Sequence, residues 1–230
     1  MQKGLNLLIE KYSVDVTAEF VNSMTVKVNG TSVPLLPWES ERRFVELRGL
    51  VLQNRVGNLC TYRIGHTTQK GSDLFELLRR EAGIIMFTVD SAISEVFAIA
   101  GKNTLNAIVE TSNGCVCTLE LAATLPFGEE DIDKHEIITD NGIACDLVVD
   151  TQVPQQSIYV YGEAKSAYTD VDAELYGYSI GEIATIRNAF QVCKSVNSLT
   201  HNVDTAASLE KVVAATRKSL DVLENVKVGG

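Results

Sequence analysis

No stretch of this sequence stays apolar long enough to cross a bilayer. The longest apolar runs, such as residues 83–87 with their neighbour Ala82, are far short of the ~20 residues a membrane helix needs. The chain also does not open with a basic segment followed by an apolar one, so no signal peptide is expected. Positive charge is in deficit, with 20 Lys and Arg against 30 Asp and Glu and a net charge of −10. That balance repels phosphate backbones and anionic lipid, which excludes nucleic acid and membrane surfaces as partners. Cysteine is sparse and odd in number: Cys60, Cys115, Cys117, Cys145 and Cys193 have no framework spacing. Reduced thiols and a cytoplasmic location are therefore expected. Histidine occurs three times, as His66, His135 and His201, in no zinc-ligand pattern, so no metal site is predicted.

What remains is ordinary globular material. The 230 residues are 45% hydrophobic and 22% charged. A domain of this size can bury roughly 70% of its unfolded surface and needs no staples. Three Asn-Gly pairs lie between strand-like runs, at residues 29–30, 113–114 and 141–142. Asn-Gly suits the tight type I′ hairpin, whose two central residues need positive φ. Further strand-like runs are NLCTYRI (58–64) and QSIYVY (156–161). In CVC, Cys115 and Cys117 share one strand face and read as small core residues. Helical spacing of apolar residues appears at 38–56, 72–80, 90–100, 179–194 and 204–224. Hairpin-linked strands with grouped helices predict an α+β fold: a large, mainly antiparallel open sheet with helices packed on one face. The pattern divides into an accessory N-terminal helix and hairpin segment (1–37) and a main domain (38–230).

Several site signatures are missing. No strand–GxGxxG–helix unit exists, because the glycines of YGYSIGE (176–182) lack a βαβ context. A self-contained nicotinamide or flavin site is thus not expected, and no cofactor is assigned. GxxxxGK[ST] and HExxH are missing too.

From residue 38 onward, the order of segments resembles a known domain. ERRFVELRGLVLQNRVGNLCTYRI, NTLNAIVETSNGCVCTLELAATLP and the closing HNVDTAASLEKVVAATRKSLDVLENVKV carry the likeness. Together they resemble the C-terminal domain of the glucose–fructose oxidoreductase / inositol dehydrogenase / MocA family. The resemblance implies an open antiparallel sheet and part of a substrate pocket. In that family an N-terminal Rossmann domain supplies the nicotinamide site and an E-K-P lysine, and neither is found in this sequence. The family's G-x-L-x-D-x-G-x-H-x-x-D segment, laid on Gly83, puts Phe87, Ser91 and Ser94 where Asp, His and Asp would stand. On that reading no catalytic residue is assigned, since Phe cannot titrate and an unassisted Ser is a poor acid or base.

Four residues are retained as ligand-binding candidates. Arg63 and His66, in TYRIGHTT, follow the strand that the resemblance places beside the pocket, where an Arg could clamp a carboxylate. Asp90 and Ser91 sit in the motif segment, and Asp90 also reads as the N-cap of a helix over 90–100. GEEDIDK (128–134), with Asp131 and Asp133, could attract a divalent cation but reads better as a solvated hairpin tip. Tyr159, Tyr161, Tyr168, Tyr176 and Tyr178 could line a pocket or an interface. The expected protein self-associates through its open sheet face or binds a small metabolite. It could also serve as an accessory subunit that completes an NAD(P)-dependent dehydrogenase with a separate Rossmann-domain chain.

Overall fold

The structure, a computed structural model, describes residues 1–55, 57–146, 158–161, 165–168 and 172–229. The chain forms two compact units, Met1–Val45 with Asp170–Ser208, and Glu46–Thr169 with Leu209–Gly230.

In the first unit the N-terminal segment shares its core with a later helix. Helix α1 (Gln2–Lys11) precedes a three-stranded antiparallel sheet of β1 (Ala18–Asn22), β2 (Thr25–Val28) and β3 (Thr31–Pro34). Asn29 and Gly30 join β2 to β3 with φ of 48° and 88°, the double positive φ that Asn-Gly predicts. Leu5, Leu8, Val26, Val33 and Leu35 pack with Ile186, Ala189 and Phe190 of a helix over Ile180–Lys194. A Cβ on Gly4 would stand 2.9 Å from Ile186 Cδ1, so a larger residue there would make the side chains between the two helices shift. The helix read at 38–56 begins instead as a 3-10 turn, Pro37–Ser40, and becomes helical only over Arg42–Leu52 (α2). Between them Glu41 is extended, with ψ of 121°.

The second unit is built on a nine-stranded sheet. Its strands are β4 (Leu59–Gln69), β5 (Ile93–Ala100), β6 (Thr104–Thr111), β7 (Val116–Leu125), β8 (Ile132–Thr139), β9 (Gly142–Cys145), β10 (Ile158–Tyr161), β11 (Lys165–Tyr168) and β12 (Val226–Lys227). They lie in the order β11-β10-β9-β8-β4-β7-β6-β5-β12. Among the described residues only β4 and β7 pair in parallel, so the sheet is mainly antiparallel as expected. Residues alternate along its central strands: Leu105, Ala107 and Val109 of β6 and Cys117, Leu119 and Leu121 of β7 are buried, and their neighbours face outward. Helix α3 (Leu74–Val89) covers the buried face over β6 and β7. The latter part of α5 (Val196–Val222) adds Leu209, Val212 and Val213 to the core, and its Ser219 hydroxyl accepts a hydrogen bond from the Ala98 amide at 3.0 Å. Among the described residues no helix is long and apolar enough to cross a membrane.

Two local expectations are corrected. The segment 90–100 is not a helix: residues 93–100 form β5, because IS-E-V-F-A-I-A also fits strand alternation and the ladder to β6 settles the choice. The helix read at 72–80 runs on to Val89, with Asp73 as its N-cap, bonded to the Phe75 amide at 2.8 Å. Asp90 is therefore no N-cap. It ends α3 in the left-handed conformation (φ 54°, ψ 42°), which Asp tolerates better than most residues, and its carboxylate pairs with Arg48 at 2.7 Å.

Candidate functional site

Between α3 and the helix-covered face of the sheet lies a chain of ionisable side chains in a setting otherwise apolar. Helical spacing on α3 turns Leu77, Leu78, Glu81, Ile84 and Ile85 inward together, so Glu81 is carried into the core with its apolar neighbours. His66 lies on the same inward face of β4 as Tyr62 and Ile64, and His135 on that of β8 with Ile137. Asp146 follows β9 and continues its ladder beside His135, whose carbonyl accepts from the Asp146 amide at 3.1 Å. Glu81 and His135 have no exposure, and His66 and Asp146 are 3% and 4% exposed.

The bonds run in sequence through the network. Glu81 Oε1 meets His66 Nδ1 at 2.7 Å, and Glu81 Oε2 meets His135 Nε2 at 2.8 Å. His135 Nδ1 meets Asp146 Oδ2 at 2.7 Å, and the His135 amide donates to Asp146 Oδ1 at 2.6 Å. Toward solvent, His66 Nε2 lies 3.2 Å from Asp131 Oδ2, and the Thr68 hydroxyl donates to Asp131 Oδ1 at 2.7 Å. Arg80 donates to Glu81 and stands 3.6 Å from Asp133.

Carboxylate oxygens only accept, so a carboxylate at each ring nitrogen of His135 calls for a proton on both. Burial pushes the His135 pKa down, but the charges of Asp146 and Glu81 and their hydrogen bonds outweigh it and raise it to about 9. Burial likewise pushes Glu81 up, yet Arg80 and His135 hold its carboxyl well below the usual range. The core thus carries an ion pair, and contacts through His66 and Asp131 lead from it outward. The two-carboxylate, one-imidazole set of Asp133, His135 and Asp146 could also hold a metal ion.

Of the four ligand candidates from the sequence, only His66 lies in this network. Arg63 points to the opposite sheet face, pairing with Glu136 at 3.2 Å. Asp90 and Ser91 stand at the far end of α3, where the Ser91 hydroxyl accepts from the Asn113 amide at 3.1 Å. Phe87 stacks beneath the Arg48 guanidinium at 4.9 Å, and Ser94 bonds the Glu110 carbonyl at 3.0 Å. Each of these motif positions has a partner within the chain.

The presumed hairpin tip is corrected in part. Asp133 lies within β8, its side chain 18% exposed, while Asp131 is tied to His66 and Thr68. The described tyrosines are divided between the two units. Tyr176 is 88% exposed in the first unit, Tyr178 packs on that unit's core and Tyr159 belongs to the second. The side chains of Tyr161 and Tyr168 lie outside the described residues. YGYSIGE also spells G-x-S-x-G at 177–181, but Ser179 is the N-cap of α4 (Ile180–Lys194), in a capping box with Glu182. Sequence reading missed Glu81, His135 and Asp146; the available signal was D-x-H at 133–135 with a further Asp after the next turn.

The outward sheet face differs in character. Ladder register sets Phe97, Ile108, Thr118, Arg63 and Glu136 in one row, and Ile99, Asn106, Glu120, Gly65 and Lys134 in the next. Gly65 leaves open space above itself, and the hollow there has a volume of about 410 Å3.

The same architecture occurs in solved structures. An oxidoreductase domain protein from Kribbella flavida superposes with a TM-score of 0.65 at 10% identity, over 85% of this chain and 65% of that one. The fold is one shared with oxidoreductases. A levoglucosan dehydrogenase solved with NADH and levoglucosan gives 0.65 at 12% identity, over 84% of this chain and 65% of that one. A myo-inositol dehydrogenase from Corynebacterium glutamicum gives 0.63 at 12% identity, over 85% and 64%. The likeness to the C-terminal domain of the glucose–fructose oxidoreductase / inositol dehydrogenase / MocA family therefore holds at the level of fold. This chain spans less than two thirds of each of those proteins. No family model and no curated protein matches its sequence.

Proposed function

We propose that this oxidoreductase-type domain works as a self-associating, metabolite-binding protein that does not carry out hydride transfer by itself. The observation that carries this reading is the outward face of the large sheet. Ile99, Ile108, Val116 and Ile132 are 43–65% exposed there, among Arg63, Lys134, Glu110 and Glu120. An apolar centre mixed with both signs of charge suits a two-fold contact, because the symmetry brings basic side chains of one copy onto acidic ones of the other. The hollow over Gly65 is the place on this face for a small polar ligand.

A second reading is favoured by the buried histidine–carboxylate network, which is more ionisable machinery than a scaffold needs. In that reading the domain is the accessory, proton-handling part of an NAD(P)-dependent dehydrogenase whose dinucleotide site lies on a separate chain.

Native mass spectrometry of the protein purified from its own source separates the two. A homodimer that Ile108→Lys converts to a folded monomer, with an unchanged circular-dichroism spectrum and a lower thermal midpoint, is the expected result. A stable complex with a nicotinamide-binding chain would establish the second reading instead. A strictly monomeric wild-type protein at tens of micromolar would remove the first.

A further inference from the structure

We propose that Asp133, His135 and Asp146 form a binding site for a divalent cation of the zinc class. This goes beyond the readings above and depends on neither of them. Residues 133 and 135 alternate by two along β8 and so share its inward face, while Asp146 follows β9, the strand paired with β8. The side chains of the three each offer a ligand atom, and these atoms all lie within 4.8 Å of one another. His135 and Asp146 are buried, and Asp133 is nearly so, at 18% side-chain exposure.

The surroundings are arranged as a metal site's would be. Glu81 Oε2 accepts from His135 Nε2–H at 2.8 Å, which fixes the ring and directs Nδ1 toward Asp146. A carboxylate on the far nitrogen of a ligating imidazole is the usual second support of such sites. The His135 amide holds Asp146 Oδ1 at 2.6 Å and leaves Oδ2 facing Nδ1. Those two atoms are 2.7 Å apart, whereas tetrahedral zinc ligands stand about 3.3 Å apart, so a small rotation of the Asp146 carboxylate admits the ion in place of the Nδ1 proton.

Charge points the same way. Glu81, Asp133 and Asp146 are three carboxylates gathered around one guanidinium, that of Arg80; an ion that takes the place of the Nδ1 proton leaves His135 neutral and meets an excess of two negative charges among these groups. One imidazole with two carboxylates suits Zn2+ better than Ca2+, which prefers oxygen alone.

The test is titration of chelator-treated protein with zinc chloride, read by calorimetry and by native mass spectrometry, with calcium chloride as the hard-cation control. The expected result is one Zn2+ per chain and no Ca2+. Asp146→Asn and Asp133→Asn should abolish the binding, and Glu81→Gln should weaken it about 10–100-fold. Asp131→Asn, which touches His66 rather than the three ligands, should leave it unchanged. If Asp146→Asn does not fold, as judged by circular dichroism, the more exposed Asp133→Asn decides. Absence of zinc binding in the wild type overturns the proposal, and so does zinc binding that survives the substitution of Asp133.

Discussion

In the first unit Glu174 gathers Lys11, Tyr12 and Arg187 at the surface, with a side chain that is 21% exposed. In the second, Glu81 gathers His66, Arg80 and His135 with no exposure at all. The bonding patterns are alike, three donors on one carboxylate, but water is present at one and excluded from the other. Where water screens the pair, the interaction is worth about 0–1 kcal/mol. Where water is excluded, the complete network roughly breaks even, and removing one member strands a buried charge at a cost of about 3–5 kcal/mol. Glu81→Ala should therefore destabilise the metal-free protein by about 3–5 kcal/mol in urea denaturation. A loss below about 1 kcal/mol would mean that water reaches the network after all, and the contrast between the units would fall.

A buried polar group in the first unit sharpens the comparison by removing formal charge from it. Asn188 is 4% exposed; its side-chain oxygen accepts from the Leu36 amide and from Asn202, both at 2.9 Å. Asn188→Ala leaves both donors without that acceptor, so about 1–3 kcal/mol should be lost. The value should lie below that for Glu81→Ala, because the stranded groups are neutral. Equal losses would show that burial alone sets the scale and that charge adds nothing.

The fold was more legible in the sequence than the site, for a physical reason. The β2–β3 turn and helix α4 are specified by contiguous residues, through positive φ at Asn29 and Gly30 and the cap at Ser179. Residues 93–100 were misread because Ile93, Val96 and Phe97 satisfy helical and strand spacing alike, and only pairing with β6 distinguishes the two. The site joins residues far apart in the chain, with Glu81 and His135 separated by 54 positions. Glu81 was passed over because the helix was read only to residue 80; carried on to Val89, the spacing of Leu77, Leu78, Ile84 and Ile85 puts Glu81 on the buried face. His66 was singled out with Arg63, yet strand alternation sends them to opposite faces, so their nearness in sequence was misleading.

The smallest effect expected is the most revealing about the exposed cluster, because it depends on pH. The hydrogen bond from Lys11, then those from Tyr12 and Arg187, hold the Glu174 carboxyl down at about 2, from an ordinary 4.5. A carboxylate lowered by folding contributes stability that is fully present above its unfolded value and is lost as pH falls through its folded one. Between pH 4.5 and 2 the wild-type protein should therefore lose this contribution progressively. Lys11→Ala removes the largest of the causes, so the Glu174 carboxyl should titrate closer to 4.5 in an NMR pH series. The acid slope of the thermal midpoint should flatten, with a change at neutral pH smaller than for either substitution above. High salt should shift the Glu174 titration in the wild type in the same direction, since exposed charges are screened over a few ångströms at about 1 M. Glu81, buried with its partners, should be far less affected by it. A Glu174 titration indifferent to both the substitution and the salt would mean that its partners do not hold it in solution.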